Sequence, residues 1–335
     1  MNHQTTVNGM GEAEGFSEEL RSYWNALPNK MFFFPLLVAW VLVFQFYGNS
    51  TFGYVNTPSL FGWLYSAYNK KTDIVDDSHG NLIPFVVLAL FWWRRKELLA
   101  QPFRMWWPGL LVMAASLFLH IVGYVIQQPK LSVVALFGGL YGLMGLAWGP
   151  AWLRTSFFPF FLFVFCIPLG SLTEPITFPL RMMVSRIVEF VGQDVLGINV
   201  LRQGTTLFKP PSLNSEGFNY EVAAACGGIR SLTAIGVIAI IFGFVTFKSN
   251  WKRVILIASA APLAVIGNSF RLFVVVVVAE FWGKDNGLWV HDNTTLSLLP
   301  YIPAIAGLML IGHWLERPMT RKNQPEVERH EQPTL

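Results

Sequence analysis

Three residues in the C-terminal third of the chain are of types that together perform acyl transfer. Cys226 stands in Tyr220-Glu221-Val222-Ala223-Ala224-Ala225-Cys226-Gly227-Gly228-Ile229-Arg230-Ser231, between a polar stretch and a long apolar run. A thiol at a helix N-terminus feels the positive end of the helix dipole and unpaired backbone N–H groups, and both favour the thiolate. Gly227 and Gly228 leave room for another backbone to approach. Arg230 is four residues on, so it shares a helical face with Cys226 and suits an anion held there. The same pattern equally describes a small residue at a helix start, with Arg230 reaching back to a membrane interface. Position alone does not choose between the two.

Arg271 lies inside an apolar run, in Gly267-Asn268-Ser269-Phe270-Arg271-Leu272. An arginine within a membrane costs at least about 2.5 kcal/mol, so it needs a partner, water or a function. Asn268 is three residues earlier and shares its face. Glu280 is nine residues later and points the opposite way on a continuous helix, which makes it a poor counter-ion. His291 follows in Trp289-Val290-His291-Asp292, where it also reads as a solvated loop residue. His79, in Ser78-His79-Gly80-Asn81, is its rival. His120 and His313 fall within apolar runs and read as structural, while His3 and His330 lie in polar tails. A cysteine, a histidine and an arginine on one face would supply a nucleophile, a proton carrier and a positive charge for a developing oxyanion.

The elements that must position these groups are set by composition. Of 335 residues, 53% are hydrophobic and only 13% charged, about half the charge of an ordinary soluble domain. The 29 Phe and 13 Trp fit a bilayer, where Trp gathers at the interfaces. The net charge of +4 sits largely in short clusters between apolar runs, which are topology signals and not a nucleic-acid surface. Two cysteines are too few for a disulfide framework or a thiolate metal site. Cys166, inside Phe163-Val164-Phe165-Cys166-Ile167, reads as a small core residue, although one bridge to Cys226 stays open. No metal-ligand cluster, phosphate-binding glycine loop or Ser-His-Asp motif competes.

Apolar runs of the length a membrane helix needs, about 20 residues, fall near 31–48, 81–94, 107–127, 131–149, 154–172, 226–247, 253–282 and 296–315. The expected fold is therefore an all-α integral membrane protein of about eight transmembrane helices. Residues 1–30 form a polar lead-in, 31–315 the membrane domain, with its catalytic face at 226–295, and 316–335 a polar tail. Gly267-Asn268 is the natural place for a break in the long seventh helix. Arg94, Arg95, Lys96 and Arg104, then Arg154, then Lys248, Lys252 and Arg253, then Arg317, Arg321 and Lys322 occupy alternate junctions. By the positive-inside rule these junctions and both termini are cytoplasmic, and Cys226 and the 283–295 loop face outward. Arg271 is then about 27 Å from Arg253 along the helix, in the outer half of the bilayer.

The outward segment 173–225 has structure of its own. Leu180, Met183, Val184, Ile187 and Val191 form an apolar stripe at helical spacing, with Arg181, Ser185, Glu189 and Gln193 opposite. This predicts an amphipathic helix lying in the interface, or a soluble cap helix of the same pattern. Residues 198–203 and 205–208 flank Gly204 and predict a short outer-face hairpin.

The order Cys226, then Asn268 with Arg271, then His291, resembles the exosortase/archaeosortase family. Ala225-Cys226-Gly227-Gly228-Ile229-Arg230-Ser231 carries the resemblance, and Ser78-His79-Gly80-Asn81-Leu82-Ile83-Pro84 is similar to that family's early outer loop. Many members carry serine directly after the cysteine, where this chain has Gly227. The resemblance covers roughly residues 30–315 and implies Cys226 as nucleophile with Arg271 and His291 as catalytic partners. It also implies an inner-membrane enzyme that needs no cofactor. Its partners would be membrane-anchored proteins bearing a C-terminal sorting tag, cleaved near the tag and transferred to an acceptor. Two other readings remain open from the sequence: a transporter or export channel built on a broken helix at Arg271, and a cysteine protease that only hydrolyses.

Overall fold

The computed structural model describes residues 4–51, 54–70, 77–170, 174–211, 217–221, 229–293 and 295–317. Helices dominate them. The N-terminal half contains α1 (Gln4–Ala26), α2 (Lys30–Tyr47), α3 (Leu60–Asn69), a 3-10 turn (Ser78–Asn81), α4 (Ile83–Trp93), α5 (Arg95–Leu99), α6 (Pro108–Val125), α7 (Pro129–Trp148) and α8 (Pro150–Phe161), which tightens into a 3-10 segment (Leu162–Cys166). The C-terminal half contains α9 (Glu174–Phe190), strands β1 (Leu201–Gln203), β2 (Thr206–Lys209) and β3 (Phe218–Glu221), then α10 (Ile229–Thr246), α11 (Asn250–Trp282), α12 (Lys284–Asp292), a 3-10 turn (Leu296–Leu298) and α13 (Tyr301–Glu316).

Proline in the first turn opens α4, α6, α7 and α8, where its missing N–H would have had no partner anyway. Four helices, α2, α6, α7 and α11, are long and apolar enough to cross a membrane, and Ile83–Trp93, Pro150–Cys166 and Ser231–Thr246 are shorter apolar helices. The outward faces of the helices keep large apolar side chains exposed, among them Leu111 and Phe118 of α6 and Ile302 and Leu310 of α13. Such a surface is unfavourable in water and suited to lipid.

The two halves meet where α4 and the α8 segment pack on α10, through Ile83, Val87, Phe158, Leu162, Cys166, Val237 and Ile240. The stacked rings of Phe158 and Phe244, 4.4 Å between centroids, set α10 beside α8. At that end of the bundle the basic residues collect. The Arg253 guanidinium lies 4.5 Å from the Phe244 ring and its Nε donates to the Phe247 carbonyl at 2.8 Å. Arg94 donates to the Thr155 carbonyl at 2.8 Å, and Lys252 to the Leu315 carbonyl at 2.5 Å. Arg253 and Lys252 thereby occupy the negative ends of α10 and α13, as the helix dipole favours. Charges that are far apart in sequence thus share one end, opposite the N-terminus of α10.

One local expectation is corrected. The long helix is unbroken, because α11 is helical from Asn250 to Trp282 through Gly267 and Asn268. In α9 the buried row is Thr177, Arg181, Val184, Ser185 and Val188, while Met183 and Ile187 of the expected apolar stripe are exposed. Positions four apart stack on one face, and this row includes the polar Arg181 and Ser185, whose hydroxyl donates to the Gly204 carbonyl of the hairpin at 3.3 Å. Around Gly204 (φ 64°), β1 and β2 pair antiparallel, Gln203 opposite Thr206, and β3 adds to β2 with Lys209 opposite Phe218. Leu207 and Phe218 of this sheet join Val184, Val188, Leu272, Val275 and Val276 in one apolar core.

Candidate functional site

Arg271 sits in the middle of α11's buried face and is 9% exposed. Its Nη2 donates to the main-chain carbonyl of His291 at 2.8 Å. That carbonyl belongs to the last turn of α12, where carbonyls have no partner within the helix. Arg271 therefore caps α12 and places a positive charge at the negative end of its dipole. Its Nε is buried and has no hydrogen-bond partner among the described residues. Glu280 is not the counter-ion. It accepts from Lys209 of β2, with both oxygens 2.6 Å from Nζ.

One turn before Arg271, Asn268 is 3% exposed and its Nδ2 donates to Ser231 Oγ at 2.7 Å. This bond ties the first turn of α10 to α11 at nearly the level of Arg271. Gly267 allows the packing behind it. A Cβ there would come within 2.2 Å of the Pro300 carbonyl oxygen, just ahead of α13. The residues that sequence reasoning marked as helix-breaking are thus used in tertiary contacts: one removes a side chain where backbone approaches, and the other bonds across to a neighbouring helix.

Cys226 lies outside the described residues, as does the rest of 222–228; Arg230 is in α10, but its side chain is likewise outside the description. The structure brings together Arg271, Asn268, Ser231 and the main chain of His291, a residue that is partly buried near the end of α12.

His79 occupies a different niche. The 3-10 turn that carries it packs against α10 and against the 3-10 segment Leu162–Cys166. Asp77, buried beside it, accepts the Gly170 N–H at 3.3 Å. Burial holds the Asp77 carboxyl above its ordinary range and the His79 imidazole below its own, with each charge partly offsetting the other's penalty. The Tyr68 hydroxyl donates to the Cys166 carbonyl; burial, with the nearby Cys166 and Asp77 adding to it, pushes the phenol upward. Cys166 itself is buried in the core, with a free thiol. His120 is bonded to Ser132 at 2.9 Å, whereas His313 is exposed on α13.

A family model described as transmembrane exosortase matches residues 73–320, a stretch that holds α4 to α13, His79, Cys226, Arg271 and His291. The chain belongs to the transmembrane exosortase family. It is a membrane protein of that family, mostly helical. No curated protein and no solved structure matches it. The match begins just ahead of the Ser78–Asn81 turn, so this exosortase carries α1 to α3 outside the matched region.

Sequence reasoning missed one buried charge on α9. Arg181, assigned to the polar side of α9, is 8% exposed, with its guanidinium 5.7 Å from the Phe178 ring. The signal was available in its spacing, since Arg181 lies four residues from Thr177 and from Ser185, and Val188 continues the row.

Proposed function

We propose that this exosortase is a membrane-embedded cysteine transpeptidase that cleaves C-terminal sorting tags of exported proteins and transfers them to an acceptor. The observation that carries the reading is the junction of α10, α11 and α12: Asn268 holds the start of α10 and Arg271 holds the end of α12. Cys226 precedes Ile229, the first residue of α10, by three positions, a tether of at most about 11 Å. The family match supports peptide chemistry in the bilayer.

In this mechanism the Cys226 thiolate attacks the scissile carbonyl carbon, and the C=O electrons move to oxygen. Arg271, with N–H groups beyond the one that binds His291, stabilises that oxyanion, with Arg230 in support. The oxyanion collapses, the C–N bond breaks, and the leaving amine takes a proton from the His291 imidazolium. A thioester to Cys226 remains. The acceptor nucleophile attacks it, gives its proton to neutral His291, and releases the thiolate with the new C-terminus attached to the acceptor.

About eight crossings, with the basic end of the bundle in the cytoplasm and Cys226 facing outward from the inner membrane, follow from the positive-inside rule. The collection of Arg94, Lys252 and Arg253 at one end supports this orientation. The transporter reading leaned on an interrupted helix at Arg271, and α11 is continuous there. Processing of a tagged, membrane-anchored protein in cells tests the proposal. Cys226→Ala is expected to abolish it, and undiminished processing by that variant removes the nucleophile. The mass of the product C-terminus separates transfer from simple hydrolysis.

A further inference from the structure

We infer that the slot between α1 and the helices beside it binds one anionic phospholipid, with an acyl chain between the helices and a phosphate at Arg95. Nothing in this depends on the acyl-transfer reading. Phe16, Leu20, Tyr23 and Trp24 of α1 recur at three- and four-residue spacing and share one face, with Glu18, Arg21 and Asn25 on the other. The apolar face turns toward α4 and α2. The rings of Phe16 and Tyr23 lie 5.3 and 5.7 Å from that of Trp92, and the Trp24 ring lies 4.9 Å from that of Phe34. Glu19, at the edge of this face, accepts from Arg95 of α5 at 2.5 Å.

These contacts run between long side chains, and they leave a slot of about 380 Å³ whose walls include Leu20, Trp24, Phe34, Leu88 and Trp92. Among the described residues that line it, Arg95 carries the one charge. The mouth opens toward lipid. Leu88 is 64% exposed and Leu20 and Trp24 are each 49% exposed, while α2 is long and apolar enough to cross a membrane and α4 is a shorter apolar helix. A slot lined by rings and leucines offers water few partners, and an empty one forfeits dispersion contacts along its walls. An acyl chain from the surrounding bilayer supplies those contacts.

Arg95 selects the headgroup. Its guanidinium is held 4.4 Å from the Trp92 ring and 5.1 Å from the Tyr23 ring, and Nη1 donates to the Trp92 carbonyl at 2.9 Å. Its Nε is buried and has no hydrogen-bond partner among the described residues. A guanidinium has five N–H donors, more than these contacts use. Lys30 adds a second cation, 5.7 Å from the Trp24 ring that walls the slot, and donates to the Trp24 carbonyl at 3.0 Å. Two cations thus stand against the Glu19 carboxylate. Arg95 follows Arg94 at the basic end of the bundle, which the orientation proposed above puts in the cytoplasm. Basic pockets between membrane helices on that side take anionic headgroups. One wall of the site, α1, lies outside the residues 73–320 matched by the family model.

Native mass spectrometry of the full chain in detergent, titrated with phosphatidylglycerol or phosphatidylcholine of the same acyl chains, tests the inference. Wild type is expected to retain one phosphatidylglycerol at least about fivefold more tightly than phosphatidylcholine. Arg95→Gln brings the two lipids to within about twofold of each other. Leu20→Trp, at a half-exposed position that admits the larger ring, fills the slot and lowers retention of both lipids by about tenfold or more. Glu19→Gln removes the carboxylate that competes for Arg95, so phosphatidylglycerol is held equally or more tightly. If Arg95 served only to tie α1 down through Glu19, Glu19→Gln and Arg95→Gln would weaken retention alike. That result overturns the inference, as do equal retention of the two lipids by wild type, a preference that survives Arg95→Gln, and unchanged retention by Leu20→Trp. If Arg95→Gln fails to fold, the wild-type preference, Glu19→Gln and Leu20→Trp decide.

Discussion

Arg271 on α11 caps α12 through the main-chain carbonyl of His291, 2.8 Å from Nη2. The contact is to backbone, so it fixes the position of the helix end that bears the histidine. It also keeps the guanidinium in one orientation, with its Nε buried and without a hydrogen-bond partner among the described residues. Oxyanion stabilisation requires such preorganised donors, because they need no reorientation as charge develops.

Replacing Arg271 therefore has two separable consequences. Arg271→Met removes both the cap and the charge, and tag processing is expected to fall by about 100-fold or more. Arg271→Lys keeps the charge but lacks the planar fork, so it falls between that variant and wild type. Hydrogen exchange in Lys284–Asp292 quickens in Arg271→Met, as the end of α12 loses its anchor. Unchanged exchange there would mean that the cap is not what holds α12.

The long helix shows what could and could not be read from the residues. An apolar run over 253–282 with one arginine inside it gave the helix and its candidate residue directly, and α11 spans Asn250–Trp282. The expected break at Gly267-Asn268 came from local propensity. Tertiary contacts override it, since the Pro300 carbonyl fills the place of a Gly267 side chain and Asn268 bonds to Ser231. The partner of Arg271 was invisible for another reason: it is a carbonyl, and every residue carries one. The burial of Arg181 was not legible because the pattern separates two sides of α9 without saying which side meets protein and which meets lipid. Strand β3 is only four residues long, too short to declare itself without β2 beside it.

The use of Gly267 yields a contrast between two glycines. Alanine normally favours a helix by about 1 kcal/mol over glycine. At Gly236, in α10, a Cβ meets nothing within 4 Å, whereas at Gly267 it lies 2.2 Å from the Pro300 oxygen. Gly236→Ala is expected to leave thermal stability equal or higher. Gly267→Ala is expected to lower it by about 1–3 kcal/mol, as overpacking does. Equal behaviour of the two variants would contradict the close approach of the chain at Pro300 to α11.

The Asp77–His79 niche sets a pH dependence whose sign is fixed by burial. His79 is held below its ordinary value of 6.5, so the folded state prefers the neutral ring. That contribution is present above pH 6.5 and is lost as pH falls from there through the folded value. Asp77 is held above its ordinary 3.8, so its contribution is present below 3.8 and lost as pH rises through its folded value. Thermal unfolding of wild type and His79→Gln between pH 8 and 5 isolates the histidine. Wild type is expected to lose stability relative to the variant as pH falls below 6.5. A gap that stays constant with pH would remove His79 as the titrating group.

The proposed mechanism passes through a thioester at Cys226, which can be trapped. Full-length protein in membranes is mixed with a tagged, membrane-anchored substrate, quenched in acid and digested, and the peptide containing Cys226 is weighed. The expected result is an acyl adduct on Cys226 that ends at the substrate's newly formed C-terminus, is cleaved by hydroxylamine, and is absent in Cys226→Ala. An unmodified Cys226 peptide during turnover, with product still formed by Cys226→Ala, would contradict it.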